Sequence, residues 1–126
     1  MILDASERGG RAQEVQVISA MVDSGADRTF LPLSVATRLG ITAVLERHRA
    51  GGHGIEGRSF SIWTSGVPIH GRVMRPSGEV WGPRFRLEPV FADLGIALLG
   101  RADFFRAFTV TFQEHPATPV YHLDAA

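Results

Sequence analysis

The residues best placed to do chemistry are Asp23, Ser24 and Gly25, which close the apolar run Val15, Val17, Ile18, Met21 and Val22. That run is short and β-branched, so it predicts a buried strand rather than a helix. A carboxylate at the end of such a strand is costly to desolvate without a compensating role. Asp, Ser and Gly also build ordinary turns after strands, so the triplet alone carries limited weight. A second stretch sharpens it. Leu98, Leu99, Gly100 and Arg101 end another apolar run, and Ala102, Asp103, Phe104 and Phe105 continue into a helix-like segment.

Taken together, the run from Met21 to Ala26 and the distal run from Leu98 to Phe104 resemble the retropepsins, the family of retroviral-type single-domain aspartic proteases. The resemblance spans most of the chain and implies a mostly β fold, a small closed barrel-like sheet with two short helices, active as a twofold homodimer. It implies Asp23 as the catalytic acid, supported by Ser24, Gly25 and Ala26, with Leu98, Leu99 and Gly100 as the distal apolar-Gly motif. It also implies that Asp27 pairs with Arg101 and, with Ala26, meets the substrate backbone. A physical argument favours that pair independently: Arg101 falls near a helix N-terminus, where positive charge is unfavourable unless a carboxylate answers it.

Peptide hydrolysis by carboxylates needs two of them, one as base toward water and one, protonated, as donor to the carbonyl oxygen. The chain has one Asp-Ser-Gly, so the second Asp23 is expected from a second copy across a twofold axis. Such a dyad holds one proton between two acids and titrates as a unit. Ser24 would tie the two turns together. The expected function is therefore an aspartic endopeptidase acting on a peptide or protein substrate. The alternatives are a catalytically silent dimer of the same fold that binds peptides or proteins, and an unrelated small β-barrel whose Asp-Ser-Gly is only a turn.

The remaining elements have to position this site. With 126 residues, 44% of them hydrophobic, the chain suits one domain with a modest core. Ser6 to Arg11 reads as a turn between a first strand and one beginning near Glu14, and 29–40 as a short helix with Pro32 early and Gly40 at its end. Gly51, Gly52, His53, Gly54 and Ile55 belong to a glycine-dense stretch, 51–57, between two expected strands, where a flap would lie. The stretch carries no Walker lysine, which argues against a phosphate loop. Phe60 and Ile62 alternate with Ser59 and Ser61; Pro76-Ser77-Gly78 marks a hairpin; Phe85 and Leu87 alternate with charged neighbours. A second helix is expected over 103–108, then two closing strands.

Composition narrows the field further. Thirteen basic and thirteen acidic residues cancel without a long run of either sign, which argues against nucleic acid or an anionic membrane as partner. There is no cysteine, and His48, His53, His70, His115 and His122 lack any ligand spacing, so neither a metal nor another cofactor is expected. No Gly-x-Ser-x-Gly elbow supports a serine triad. Neither an apolar leader nor a membrane-spanning run is visible, and a cytoplasmic location is the expectation. The two tryptophans and eight phenylalanines read as core or interface residues.

Overall fold

The structure is a computed structural model and describes residues 1–5, 13–17, 19–41, 43–49, 60–113 and 120–125. In chain order the elements are β1 (Ile2–Ala5), β2 (Gln13–Gln16), β3 (Ala20–Val22), β4 (Phe30–Pro32), α1 (Leu33–Leu39), β5 (Ala43–Arg49) and β6 (Phe60–Ser65). There follow β7 (Ile69–Met74), β8 (Val80–Leu87), β9 (Val90–Ala92), β10 (Ala97–Leu99), α2 (Phe104–Ala107), β11 (Phe108–Gln113) and β12 (Val120–Ala125). The described residues are mostly β with two short helices, as the alternating patterns predict.

The described strands form three sheets, ordered β2-β1-β7-β8, β3-β10-β4-β9-β6-β5 and β11-β12. They do not close into the single barrel-like sheet that was expected. The reason is visible in the run before Asp23, read from sequence as one strand. It is divided between two sheets: β2 pairs with β1, Val17 N–H then donates to the Met1 carbonyl at 2.8 Å, and Ala20 begins β3 beside β10. Val15 and Val17 are buried in the first setting, while β3 is an edge strand of the second with Met21 52% exposed. An apolar run does not reveal where a strand changes sheets.

Four hairpins are described, and the one at 75–79 falls on its turn signal, whereas the expected turn at Ser6 to Arg11 lies outside the described residues. β1 pairs antiparallel with β2, β7 with β8 around 75–79, and β11 with β12. β5 and β6 also pair antiparallel, from Ala43 opposite Ser65 to Arg49 opposite Phe60. The proposed flap residues Gly51, Gly52, His53, Gly54 and Ile55 belong to the connection of that hairpin and lie outside the described residues.

α1 begins later than expected, because 30–32 are drawn into β4 between β10 and β9. Pro32 then serves as N-cap, and Gly40 ends the helix at φ 72°, its N–H donating to the Thr37 carbonyl at 3.0 Å. A residue with a Cβ is strained in that left-handed conformation, which explains glycine there. Val35, Ala36 and Leu39 form the buried face of the helix.

The core joins Leu3, Leu31, Ile69 and Phe91 to an aromatic group of Phe85, Phe104 and Phe108. Phe85 meets Phe108 edge-on with centroids 5.3 Å apart, and Trp81 stacks on Phe108 at 5.8 Å. Such arrangements match the ring quadrupoles and add to the area buried. The expectation that the aromatics serve packing holds for these residues; Phe112 is exposed.

The outer face of the four-stranded sheet carries a polar row. His70 on β7 stands opposite Asp4 on β1 and Arg86 on β8, and Arg84 pairs with the buried Asp4 at 2.5 Å. Arg72 and Glu14 form a second pair at 2.6 Å. Among the described residues no hydrogen-bond partner meets the buried His70 Nδ1. Burial, reinforced by Arg84 and Arg86 and only partly opposed by Asp4, pushes the His70 pKa below its ordinary value. The folded chain thus binds fewer protons than the unfolded one below about pH 6.5, so this contribution to stability is complete above that value and is lost as pH falls. We expect the denaturant midpoint of His70→Gln to change less than that of the wild type between neutral pH and about pH 5; equal changes would contradict the assignment.

Candidate active site

β3 delivers Asp23 to the edge of the six-stranded sheet. It runs parallel to β10 with Val22 opposite Leu99, and the Asp23 N–H extends the ladder by donating to the Leu99 carbonyl at 3.0 Å. The chain then turns. Ala26 N–H donates to the Asp23 carbonyl at 3.2 Å, and Gly25 N–H donates to Asp23 Oδ1 at 2.9 Å, which orients the carboxylate within its own turn. Asp23 is partly exposed, whereas Ser24 and Gly25 are exposed.

The distal motif clamps the other side of this turn. Arg101 N–H donates to the Ala26 carbonyl and Ala102 N–H to the Asp27 carbonyl, both at 2.9 Å. Asp23, Ala26 and Asp27 are thereby tied by backbone hydrogen bonds to Leu99, Arg101 and Ala102. Leu98 lies between Met21 of β3 and Phe30 of β4. The two stretches singled out in the sequence thus lie side by side from Ala20 beside Ala97 to Asp27 beside Ala102. The Arg101 guanidinium also reaches Asp27 Oδ1 at 3.0 Å, with the two side chains 61% and 73% exposed.

Beneath the turn lies a polar knot that the sequence reading did not pick out. Thr29, fully buried at 0% exposure, donates its hydroxyl to Asp103 Oδ1 and accepts from the Gly100 N–H at 3.1 Å. Asp103 Oδ1 also caps α2 by accepting from Phe104 N–H at 2.7 Å, and its Oδ2 accepts from Glu88 N–H at 3.1 Å. Gly100 crosses so close to the preceding backbone that a Cβ would fall on the Arg28 carbonyl. Glycine is required here by contact, not by conformation. Two signals for the knot were present: an Asp directly before Phe104-Phe105 in the N-cap position, and a lone Thr where charged residues give way to an apolar strand.

Among the described residues, no group of three or more His, Cys, Asp or Glu side chains is placed to hold a metal ion, and no helix is long and apolar enough to cross a membrane. No family model and no curated protein matches the chain.

The contrast between buried knot and exposed pair is measurable. Thr29→Val leaves a buried carboxylate short of a donor and the Gly100 N–H without an acceptor, and should cost about 1–3 kcal/mol or more. Arg101→Gln should cost less than about 1 kcal/mol, because its pair is solvated. Chemical denaturation of both variants checks the order; a larger loss for Arg101→Gln would contradict it.

Proposed function

We propose that the chain is the subunit of a homodimeric, retropepsin-like aspartic endopeptidase in which Asp23 from each of two copies meets at a twofold axis. The observation that carries this reading is the turn itself: an Asp-Ser-Gly held by backbone hydrogen bonds to 99–102, with its tip exposed at a sheet edge. A single carboxylate cannot act as base and acid at once. A second copy would supply the partner acid and cover the exposed tip. The resemblance of both motifs to the retropepsins supports the same arrangement.

In the proposed dimer the two carboxylates share one proton, since both cannot readily ionise at close range. The ionised Asp23 takes a proton from a water held between the two acids as that water attacks the scissile carbonyl. The protonated Asp23 gives its proton to the carbonyl oxygen. Collapse of the tetrahedral intermediate returns a proton to the leaving amine, and neither a covalent enzyme intermediate nor a metal is needed. Ser24 links the two turns across the axis, Ala26 and Asp27 offer polar groups to an extended peptide, and Arg101 holds Asp27. The hairpin formed by β5 and β6, whose connection contains 51–57, serves as flap.

Cleavage of a mixed peptide library by the wild type and by Asp23→Asn tests the reading. We expect a loss of about a hundredfold or more in the variant, with its dimer intact by sedimentation. Cleavage undiminished in Asp23→Asn would refute a catalytic Asp23. A wild-type dimer that binds peptides without cleaving them would replace the peptidase with a binding module.

A further inference from the structure

We infer that the buried pair Thr29 and Asp103 sets the place of the Asp23 turn, so that Thr29 is a positioning residue for the proposed reaction. The inference deepens the peptidase reading and rests on it for its kinetic consequence. The path from the pair to the carboxylate is short and runs through main-chain atoms. Segment 99–102 holds the turn at three points: the Leu99 carbonyl accepts from the Asp23 N–H at 3.0 Å, and the N–H groups of Arg101 and Ala102 donate to the Ala26 and Asp27 carbonyls at 2.9 Å. In the middle of that segment the buried Gly100 N–H donates instead to the Thr29 hydroxyl, at 3.1 Å.

Thr29 is itself fixed at both of its polar groups. Its carbonyl accepts from the Val90 N–H at 3.0 Å, and its hydroxyl donates to Asp103 Oδ1. Asp103 is held in turn by the N–H groups of Phe104 and Glu88. A hydroxyl that gives its proton to a carboxylate keeps its lone pairs for an amide donor. The Asp103 acceptor therefore sets the direction from which Thr29 receives Gly100.

Steric contact gives the segment one way to yield. A Cβ on Gly100 would lie 2.3 Å from the Arg28 carbonyl oxygen, so the segment rests against 28–29 and can shift only by moving off them. Without the Thr29 hydroxyl the Gly100 N–H loses its acceptor, and an unmet buried donor favours that shift. The Asp23 N–H and the Ala26 carbonyl are bonded to the same segment and move with it. The Asp23 carboxylate, oriented by the Gly25 N–H within the turn, follows. An error of about 1 Å in the place of a reacting group can cost about a hundredfold in rate.

Peptide cleavage and two-dimensional amide NMR spectra of the wild type, Thr29→Val, Thr29→Ser and Asp103→Asn test the inference. Valine keeps the branched shape without the hydroxyl, and serine keeps the hydroxyl. Asparagine keeps the size of Asp103 but sets an NH2 group against one of its three donors. We expect Thr29→Val to lower kcat about tenfold with KM within about twofold of the wild type, Thr29→Ser to hold kcat within about threefold, and Asp103→Asn to follow valine. The Asp23 and Gly25 amide resonances should move in Thr29→Val and Asp103→Asn and stay in Thr29→Ser, while those of β7 keep their places in all three. Asp103→Asn carries the test if Thr29→Val does not fold. Unmoved Asp23 and Gly25 resonances in a folded variant, wild-type kcat in that variant, or a loss in Thr29→Ser as large as in Thr29→Val overturns the inference. A wild type that cleaves nothing removes the peptidase reading instead, and the spectra then decide by themselves whether the pair positions the turn.

Discussion

The structure depends most on one buried contact, the hydroxyl of Thr29 against the carboxylate of Asp103. A carboxylate taken out of water is destabilising by several kcal/mol unless its lone pairs are met by donors. Here Thr29, Phe104 and Glu88 meet them, and Thr29 in turn receives the Gly100 N–H. Three separate parts of the chain are drawn to one point: the start of β4, the turn after β8, and the segment from the end of β10 to the cap of α2. Removing any donor leaves the buried carboxylate short of a partner, so the arrangement is held collectively. The close passage of Gly100 under Arg28 sets the height at which the two motifs cross.

That crossing explains how a short surface turn acquires a defined shape. Asp23, Ala26 and Asp27 are positioned through main-chain hydrogen bonds, and main-chain positions are fixed by the sheet rather than by flexible side chains. The carboxylate of Asp23 is further oriented by Gly25 N–H. Catalytic groups work best when their geometry is in place before substrate arrives, and this turn meets that condition at the edge of a sheet. The exposed edge at β3, with Met21 turned to solvent, is also the kind of surface that a second chain can cover.

Much of this was legible in the sequence. Asp-Ser-Gly and Leu-Leu-Gly-Arg each end an apolar run, and the expected pair beside them, Asp27 and Arg101, meets in space. Gly40, Pro32 and the turn at 75–79 marked boundaries because glycine and proline restrict or free the backbone locally. The sheet plan was not legible. Alternation shows which face of a strand is buried, but not which sheet the strand joins, so the run before Asp23 read as one strand and the strands read as one barrel. Thr29 and Asp103 escaped notice for a similar reason. Each is ordinary in its local sequence, and only their meeting across 74 positions makes them central.

The central claim is that catalysis needs one Asp23 from each of two chains. Mixing wild type with Asp23→Asn in equal amounts, after free exchange of subunits, and measuring peptide cleavage tests it most directly. If every active dyad needs both acids and the subunits pair at random, activity falls to about a quarter of that of the same total amount of wild type. Activity of about half, in proportion to the wild-type chains present, would show that each chain acts alone and would contradict the account.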